Sequence, residues 1–137
     1  MTYEQENDKL GSTALKIAQD PKTSSEELVE LVVRGGADCL LSVAEELVIH
    51  PNATPELYEL LSDNEWRFVR LVVGGCPLTP QQTLTTLASD MNPSVRGVVE
   101  QNPNTPPLVR MWLTSDYHKS ISLEEFLLQT QGATNGL

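Results

Sequence analysis

The chain has 137 residues, enough for one buried core, and its 19 acidic and 9 basic residues give a net charge of −10. Residues 1–65 hold 14 acidic and 4 basic side chains, whereas residues 66–137 hold 5 of each, so the excess negative charge lies in the first half. This balance argues against nucleic-acid binding, which generally requires a basic surface. An acidic half either keeps a protein soluble or favours a basic partner.

Targeting and membrane signals are missing from the sequence. It has no run of 18 apolar residues, so we expect no membrane span, and its polar N-terminus predicts no secretory signal. The two cysteines, Cys39 and Cys76, lie far apart without the spacing of a disulfide framework. We therefore expect a protein of the reducing cytoplasm.

Capping residues and apolar periodicity predict a chain of short helices with no sheet. We expect a flexible N-terminus over residues 1–11, a single helical domain over 12–130 and a flexible tail over 131–137. The helices are predicted over about residues 12–19, 24–34, 39–49, 55–61, 65–73, 80–88, 93–100, 106–113 and 122–129. The last of these is expected to cap the domain, after a turn over residues 116–119.

Specific capping signals mark where these helices begin. Ser24 with Glu27, and Ser122 with Glu125, form capping boxes. A Thr before a Pro predicts a helix start, because Thr accepts a backbone N–H and Pro tolerates the first helical position. This pair occurs at residues 54–55, 79–80 and 105–106, while Asp63 or Asn64 is expected to cap the helix over 65–73. Asn92-Pro93 is expected to cap the helix that follows.

The chain contains a repeat of about 26 residues. The turn prolines Pro21, Pro51, Pro77 and Pro103 are spaced 30, 26 and 26 residues apart. Apolar residues recur eight and four residues before the last three prolines, which places both on one helix face. These structural repeat positions are Val43, Val69 and Val95, and Leu47, Val73 and Val99.

One string of the repeat carries a family resemblance. D-x-x-x-x-V-R-x-x-V-x-x-N-P-x-T-P, read from Asp90 to Pro106, resembles the leucine-rich repeat variant family of bacterial proteins. Residues 63–80 match this string with one extra residue and with Cys76 in place of Asn. Residues 38–55 match weakly, with Ala in place of Arg and His50 in place of Asn. The resemblance covers roughly residues 12–116.

The resemblance implies a right-handed α-solenoid of alternating α-helices and short 3₁₀-like helices. The fold runner-up is a HEAT-like helical repeat, for which 26 residues is short. Some family members carry an N-terminal iron–sulfur module held by clustered cysteines. Cys39 and Cys76 do not have that arrangement, so we expect no cofactor and assign both to packing or turn roles.

The sequence offers no combination of residues typical of an enzyme. It contains no phosphate-binding glycine loop, H-E-x-x-H or C-x-x-C motif. His50 and His118 fall at turns in different units, and His50 holds the place of Asn102, so we interpret it as a turn residue. We predict that the protein is not an enzyme and that no residue is catalytic or metal-binding.

The recurrent arginines are the most informative polar positions. Arg70 and Arg96 occupy equal places in successive units, where they either pair with Asp63 or Asp90, cap a helix C-terminal carbonyl, or form a ladder for an acidic partner. Trp66 and Trp112 are expected in the core, although an exposed Trp would be a contact candidate. The candidate partner-binding residues are Trp66, Arg67, Arg70, Arg96 and Arg110.

Our first functional hypothesis is a protein–protein interaction or scaffold module, a monomer or weak dimer with a protein partner that is basic if the acidic half binds it. The alternative is a nucleic-acid-binding solenoid that uses the arginine column. A continuous basic face would favour the alternative, whereas paired arginines would remove it.

Overall fold

The structure is a computed structural model that describes residues 13–34 and 43–135. These residues form α-helices and turns, with no strand among them, in agreement with the all-α class. The labelled helices are α1 Ser25–Arg34, α2 Pro55–Ser62, α3 Arg67–Gly75, α4 Gln81–Leu87, α5 Pro93–Gln101, α6 Pro107–Thr114, α7 Tyr117–Ser120 and α8 Leu123–Asn135. Residues 13–19 and 43–47 are also helical. No helix in the described part of the chain is long and apolar enough to cross a membrane.

Helices occur as consecutive pairs joined by short turns. The first helix of each pair is residues 13–19, residues 43–47, α3 or α5, and the second is α1, α2, α4 or α6. Helix α3 packs on α5, while α1 packs on α2 and α2 packs on α4. The first helix α3 therefore contacts the next first helix, α5, and the second helices α1, α2 and α4 contact one another in succession. The second helices are α-helical over their described length.

The core lies between the two sets of helices. Val43, Val69 and Val95, and four residues later Leu47, Val73 and Val99, are fully buried. The second helices contribute a matching set of fully or almost fully buried leucines, namely Leu28, Leu61, Leu84 and Leu87. Each such side chain stabilises the fold by roughly 1.5–3 kcal/mol relative to exposure. Pro51, Pro77 and Pro103 lie exposed in the turns after the first helices.

Several predicted helix caps are confirmed. The backbone N–H of Glu27 donates to Ser24 Oγ at 3.2 Å, and that of Glu125 donates to Ser122 Oγ at 3.1 Å. Asn92 caps α5, with Pro93 at its first turn. Thr54 caps α2 by accepting from Leu57 N.

The caps predicted at Thr79 and Thr105 are wrong. Helices α4 and α6 begin one residue later than this pairing requires, with Pro80 and Pro106 at their N-cap positions. Both threonines are buried, and their hydroxyl groups donate backwards to carbonyl oxygens six residues earlier, at 2.6 Å each. Thr23 makes the same bond to Ile17 O at 2.7 Å. These threonines therefore close the turn after the first helix instead of starting the second.

Other predicted boundaries also differ. Helix α3 begins at Arg67 and has Trp66 at its N-cap without a side-chain bond, so neither Asp63 nor Asn64 caps it. Residues 117–120 form α7 rather than a turn, and α8 continues to Asn135 rather than ending near 129. The predicted flexible segment 1–11 and Cys39 lie outside the described residues.

Candidate functional site

A buried Asn fixes the turn between α5 and α6. Asn102 is 2 % exposed, and its Nδ2 donates to the carbonyl oxygens of Gly74 and Cys76, at 2.8 Å each. Its Oδ1 accepts from Asn104 N at 2.9 Å. One side chain therefore shapes its own turn and joins it to the turn of the preceding helix pair.

His50 makes the equivalent bonds two helix pairs earlier. Its Nε2 lies 2.8 Å from Asp20 O, and its Nδ1 accepts from Asn52 N at 2.9 Å. These partners assign the proton of the neutral imidazole to Nε2. Because both ring nitrogens are engaged, His50 acts as a turn residue, as the sequence predicted.

Two further amides extend this contact between turns. Asn52 Nδ2 donates to Thr23 O at 2.8 Å, and Asn104 Nδ2 donates to Thr79 O at 2.6 Å. The third turn, which follows α3 and contains Pro77, differs from these two. It has Leu78 at the corresponding position, and this side chain is 60 % exposed. Asn52 and Asn104 thus occupy equal positions in their turns and bond to the preceding turn, whereas Leu78 at the same position cannot form this bond.

The third turn also has Cys76 where the fourth has Asn102. The Cys76 Sγ lies 3.6 Å from Val48 O, and the Tyr58 hydroxyl donates to the same carbonyl oxygen at 2.6 Å. Burial, followed by the neighbouring Cys76, raises the pKa of Tyr58 above its usual value. Cys76 is buried with a free thiol, so its role here is packing and turn closure.

Arg70 is bonded to groups of this chain rather than free to bind a partner. Its Nε lies 2.7 Å from Asp90 Oδ2, and the two side chains are 12 % and 7 % exposed. Its Nη1 also donates to Asn64 O at 2.8 Å and Glu65 O at 3.0 Å. Of the two predicted partners, the structure selects Asp90, which belongs to the next helix pair.

Arg96 and Arg110 are also engaged with the backbone. Arg96 Nη1 donates to Asp90 O at 2.7 Å, in the same manner as Arg70 to Asn64 O. Arg110 donates to Glu100 O at 3.0 Å and to Asn102 O at 2.5 Å, so it caps the carboxyl end of α5. Three of the four candidate arginines therefore stabilise turns and helix ends.

Trp66 and Arg67 are the candidates that remain at the surface. Trp66 is 41 % exposed, so its predicted core position is wrong, because it precedes α3 instead of lying within it. Arg67 is exposed, with its guanidinium carbon 5.1 Å from the ring centroid of Phe68. Trp112 is buried as predicted, and its Nε1 donates to Ile121 O at 3.1 Å.

Helix α3 carries apolar side chains beyond its fully buried residues. Val69 and Val73 point into the core, whereas Phe68 is 52 % exposed and Leu71 and Val72 are half-buried. Leu71 and Val72 pack against the edge of the core, so Phe68 is the most exposed apolar side chain of α3. The string RFVRLVVGG places Phe68 outside the positions of the buried Val69 and Val73, and this spacing was the available signal for its exposure.

We define the outer face as Phe68, Leu71, Val72 and Gly75 of α3 with Gly97 and Val98 of α5. Helices α3 and α5 approach each other at the buried Gly74, where an added Cβ would lie 3.0 Å from Val98 Cγ2. Gly75 and Gly97 have open space where their Cβ atoms would be. The outer face is therefore open to solvent at these two glycines.

Within 13–34 and 43–135, no group of three or more His, Cys, Asp or Glu residues could hold a metal ion. The His118 Nδ1 contacts Ser115 O, and its ring stacks edge-on with Trp112 at 6.1 Å.

Comparisons with protein-family models, with curated proteins and with solved structures gave no match. The leucine-rich repeat variant resemblance is therefore still a prediction from the sequence.

Proposed function

We propose that this chain is a non-enzymatic protein–protein interaction module, built as a right-handed α-solenoid of units related to leucine-rich repeat variants. The arrangement of turns supports the solenoid. His50 bonds to a turn 30 residues earlier, and Asn102 bonds to one 26 residues earlier, through equivalent atoms. Contact between equal positions of successive units is the organising feature of repeat proteins.

The outer face of α3 is the observation that carries the proposed function. Polar side chains in the turns bond to the chain itself, so they contribute to its architecture. By contrast, Phe68 is 52 % exposed, Leu71 and Val72 are half-buried at the edge of the core, and the exposed Trp66 lies two residues before Phe68. Exposed aromatic side chains close together on a surface are typical of sites that bind other proteins.

Nucleic-acid binding through the arginine column is less well supported. Arg70, Arg96 and Arg110 donate to carbonyl oxygens, and Arg70 also pairs with Asp90. Phosphate binding requires free cationic groups on a basic surface. Arg67 alone of the four is exposed without such a bond among the described residues.

The test is affinity capture from lysate of the source cells, with the immobilised chain beside an unrelated bait of similar net charge. We expect a defined protein to be retained by this chain alone after washing at both low and high salt. Retention of nucleic acid, or of no protein beyond those on the control bait, would overturn the proposed function.

A further inference from the structure

The contact between the first two turns of the chain depends on an ionisable side chain. We define the first joint as the contact of residues 50–53 with residues 20–23. In it, His50 is 6 % exposed, its Nε2–H donates to Asp20 O at 2.8 Å, and its Nδ1 accepts from Asn52 N at 2.9 Å. The ring nitrogen that is free of a proton is therefore the one that already accepts a hydrogen bond.

Protonation of the ring removes one of these bonds. An imidazolium carries a proton on both nitrogens, so Nδ1–H of His50 would face Asn52 N–H across 2.9 Å, donor against donor. The positive charge would also lie where the fold largely excludes water, and a buried charge without a partner is costly. The joint therefore fits the neutral ring only, whereas imidazole in an unfolded chain is charged below about pH 6.5.

The ionisable groups around the His50 ring form no salt bridge with it among the described residues. In the facing turn, Asp20 and Lys22 carry opposite charges and are both exposed, and the Asp20 carboxylate accepts from Lys22 N at 2.9 Å. Glu46 lies one turn earlier in the chain and is half-buried. The neighbouring Tyr58 hydroxyl is uncharged in acid, as is the Cys76 thiol of the third turn, and both contact the carbonyl oxygen of residue 48.

The fourth turn provides a natural comparison. Asn102 donates to Cys76 O and accepts from Asn104 N, as His50 does in its own turn, but its amide takes up no proton between pH 5 and 8. The two joints therefore have equivalent bonds and differ in their response to acid.

We propose that the first joint is an acid-sensitive switch, in which uptake of one proton by His50 breaks the bond from Asn52 and releases residues 50–53 from residues 20–23. Acid thus loosens the first joint and leaves the joint of Asn102 closed. The released state binds one more proton than the closed state, so its population rises as pH falls, by at most about tenfold per pH unit. This inference goes beyond the proposed function, because it concerns contacts within the chain and requires no partner.

Urea denaturation at several pH values measures the effect on stability. Between about pH 7.5 and pH 5, we expect the folding equilibrium constant to fall about tenfold more in the wild-type chain than in His50→Asn, whose amide takes up no proton. Carboxylates common to both chains contribute equally and cancel in this comparison. His118→Asn is the matched control, because it removes the other histidine of the chain, and it should keep the pH dependence of the wild type.

Nuclear magnetic resonance of the ¹⁵N-labelled wild-type chain tests the mechanism without a variant. The ring nitrogen shifts of His50 distinguish the neutral Nε2–H form, expected at pH 7.5, from the imidazolium. We expect the protection of Asn52 N–H from hydrogen exchange, relative to a free amide at the same pH, to fall several-fold as the imidazolium forms. Asn104 N–H, bonded to Asn102 Oδ1 at 2.9 Å, is the internal control and should keep its protection.

Two results would overturn the proposal. Equal pH dependence of stability in the wild-type chain and in His50→Asn would mean that opening of the joint takes up no proton at His50. Formation of the imidazolium with Asn52 N–H still protected would mean that the joint stays closed in acid. If His50→Asn does not fold, the resonance measurement on the wild-type chain decides the question alone.

Discussion

Replacing Asn102 by Ala should destabilise the fold more than any exposed substitution nearby. The side chain is 2 % exposed and makes three hydrogen bonds, to Gly74 O, to Cys76 O and from Asn104 N, at 2.8, 2.8 and 2.9 Å. Each bond contributes about 1 kcal/mol net, and a buried group left without a partner costs more. Cys76 O still accepts a hydrogen bond from Thr79 N at 3.1 Å, so it is not left without a partner and the loss of stability is smaller. We therefore expect a loss of about 2–3 kcal/mol, a large share of a typical domain's stability.

Urea denaturation followed by circular dichroism measures this loss as a shift in the unfolding midpoint. Gln101→Ala is the matched control, because residue 101 is exposed, and it should change stability by less than about 0.5 kcal/mol. His50→Asn should cost less than His50→Ala, since Asn102 performs the same task with an amide. A loss below about 1 kcal/mol for Asn102→Ala would refute the reasoning that these bonds hold the turns together.

The remaining predictions concern single positions of the same architecture. Gly74→Ala should destabilise the fold, because the added Cβ would lie 3.0 Å from the Val98 Cγ2 methyl. Gly97→Ala should instead stabilise it by about 0.5–1 kcal/mol, because the added Cβ meets nothing within 4 Å and Ala favours a helix over Gly. Thermal melts of the two variants compare these effects. Asp90→Asn should cost about 1–2 kcal/mol, because it leaves the largely buried Arg70 guanidinium without its counterion, and a urea midpoint as high as wild type would contradict this. Tyr58 has a raised pKa in the fold, so the folded chain retains a proton that the unfolded chain loses above about pH 10. Stability should therefore fall as pH rises beyond that value, and Tyr58→Phe should lessen the fall in urea titrations at successive pH values.

The sequence predicted the features that depend on local spacing. Val69 and Val73 lie four residues apart on one helix, so their shared burial follows from helical periodicity alone. The Ser24 and Asn92 caps could likewise be predicted, since each cap bonds to N–H groups within three residues.

Features that depend on contact between distant residues could not be predicted in the same way. Arg70 pairs with Asp90 rather than Asp63, because the packing of the next helix pair brings Asp90 Oδ2 to 2.7 Å from Arg70 Nε. The Thr79 hydroxyl likewise finds its acceptor, Val73 O, only when the turn after α3 folds back on the helix end, so the Thr-Pro pair alone does not reveal this bond. Exposure of Trp66 depends on the residue at which α3 begins, and boundaries shift by one or two residues without changing the local pattern.

The most direct test of the account is quantitative affinity capture from the source cells with three baits, namely the wild-type chain, the Phe68→Glu, Val72→Glu chain and the Leu128→Glu chain. Mass spectrometry compares the proteins that each retains. The account predicts a defined protein on the wild-type and Leu128→Glu baits that is lost from the Phe68→Glu, Val72→Glu bait. Equal retention by all three baits, or retention of nucleic acid instead of protein, would contradict it.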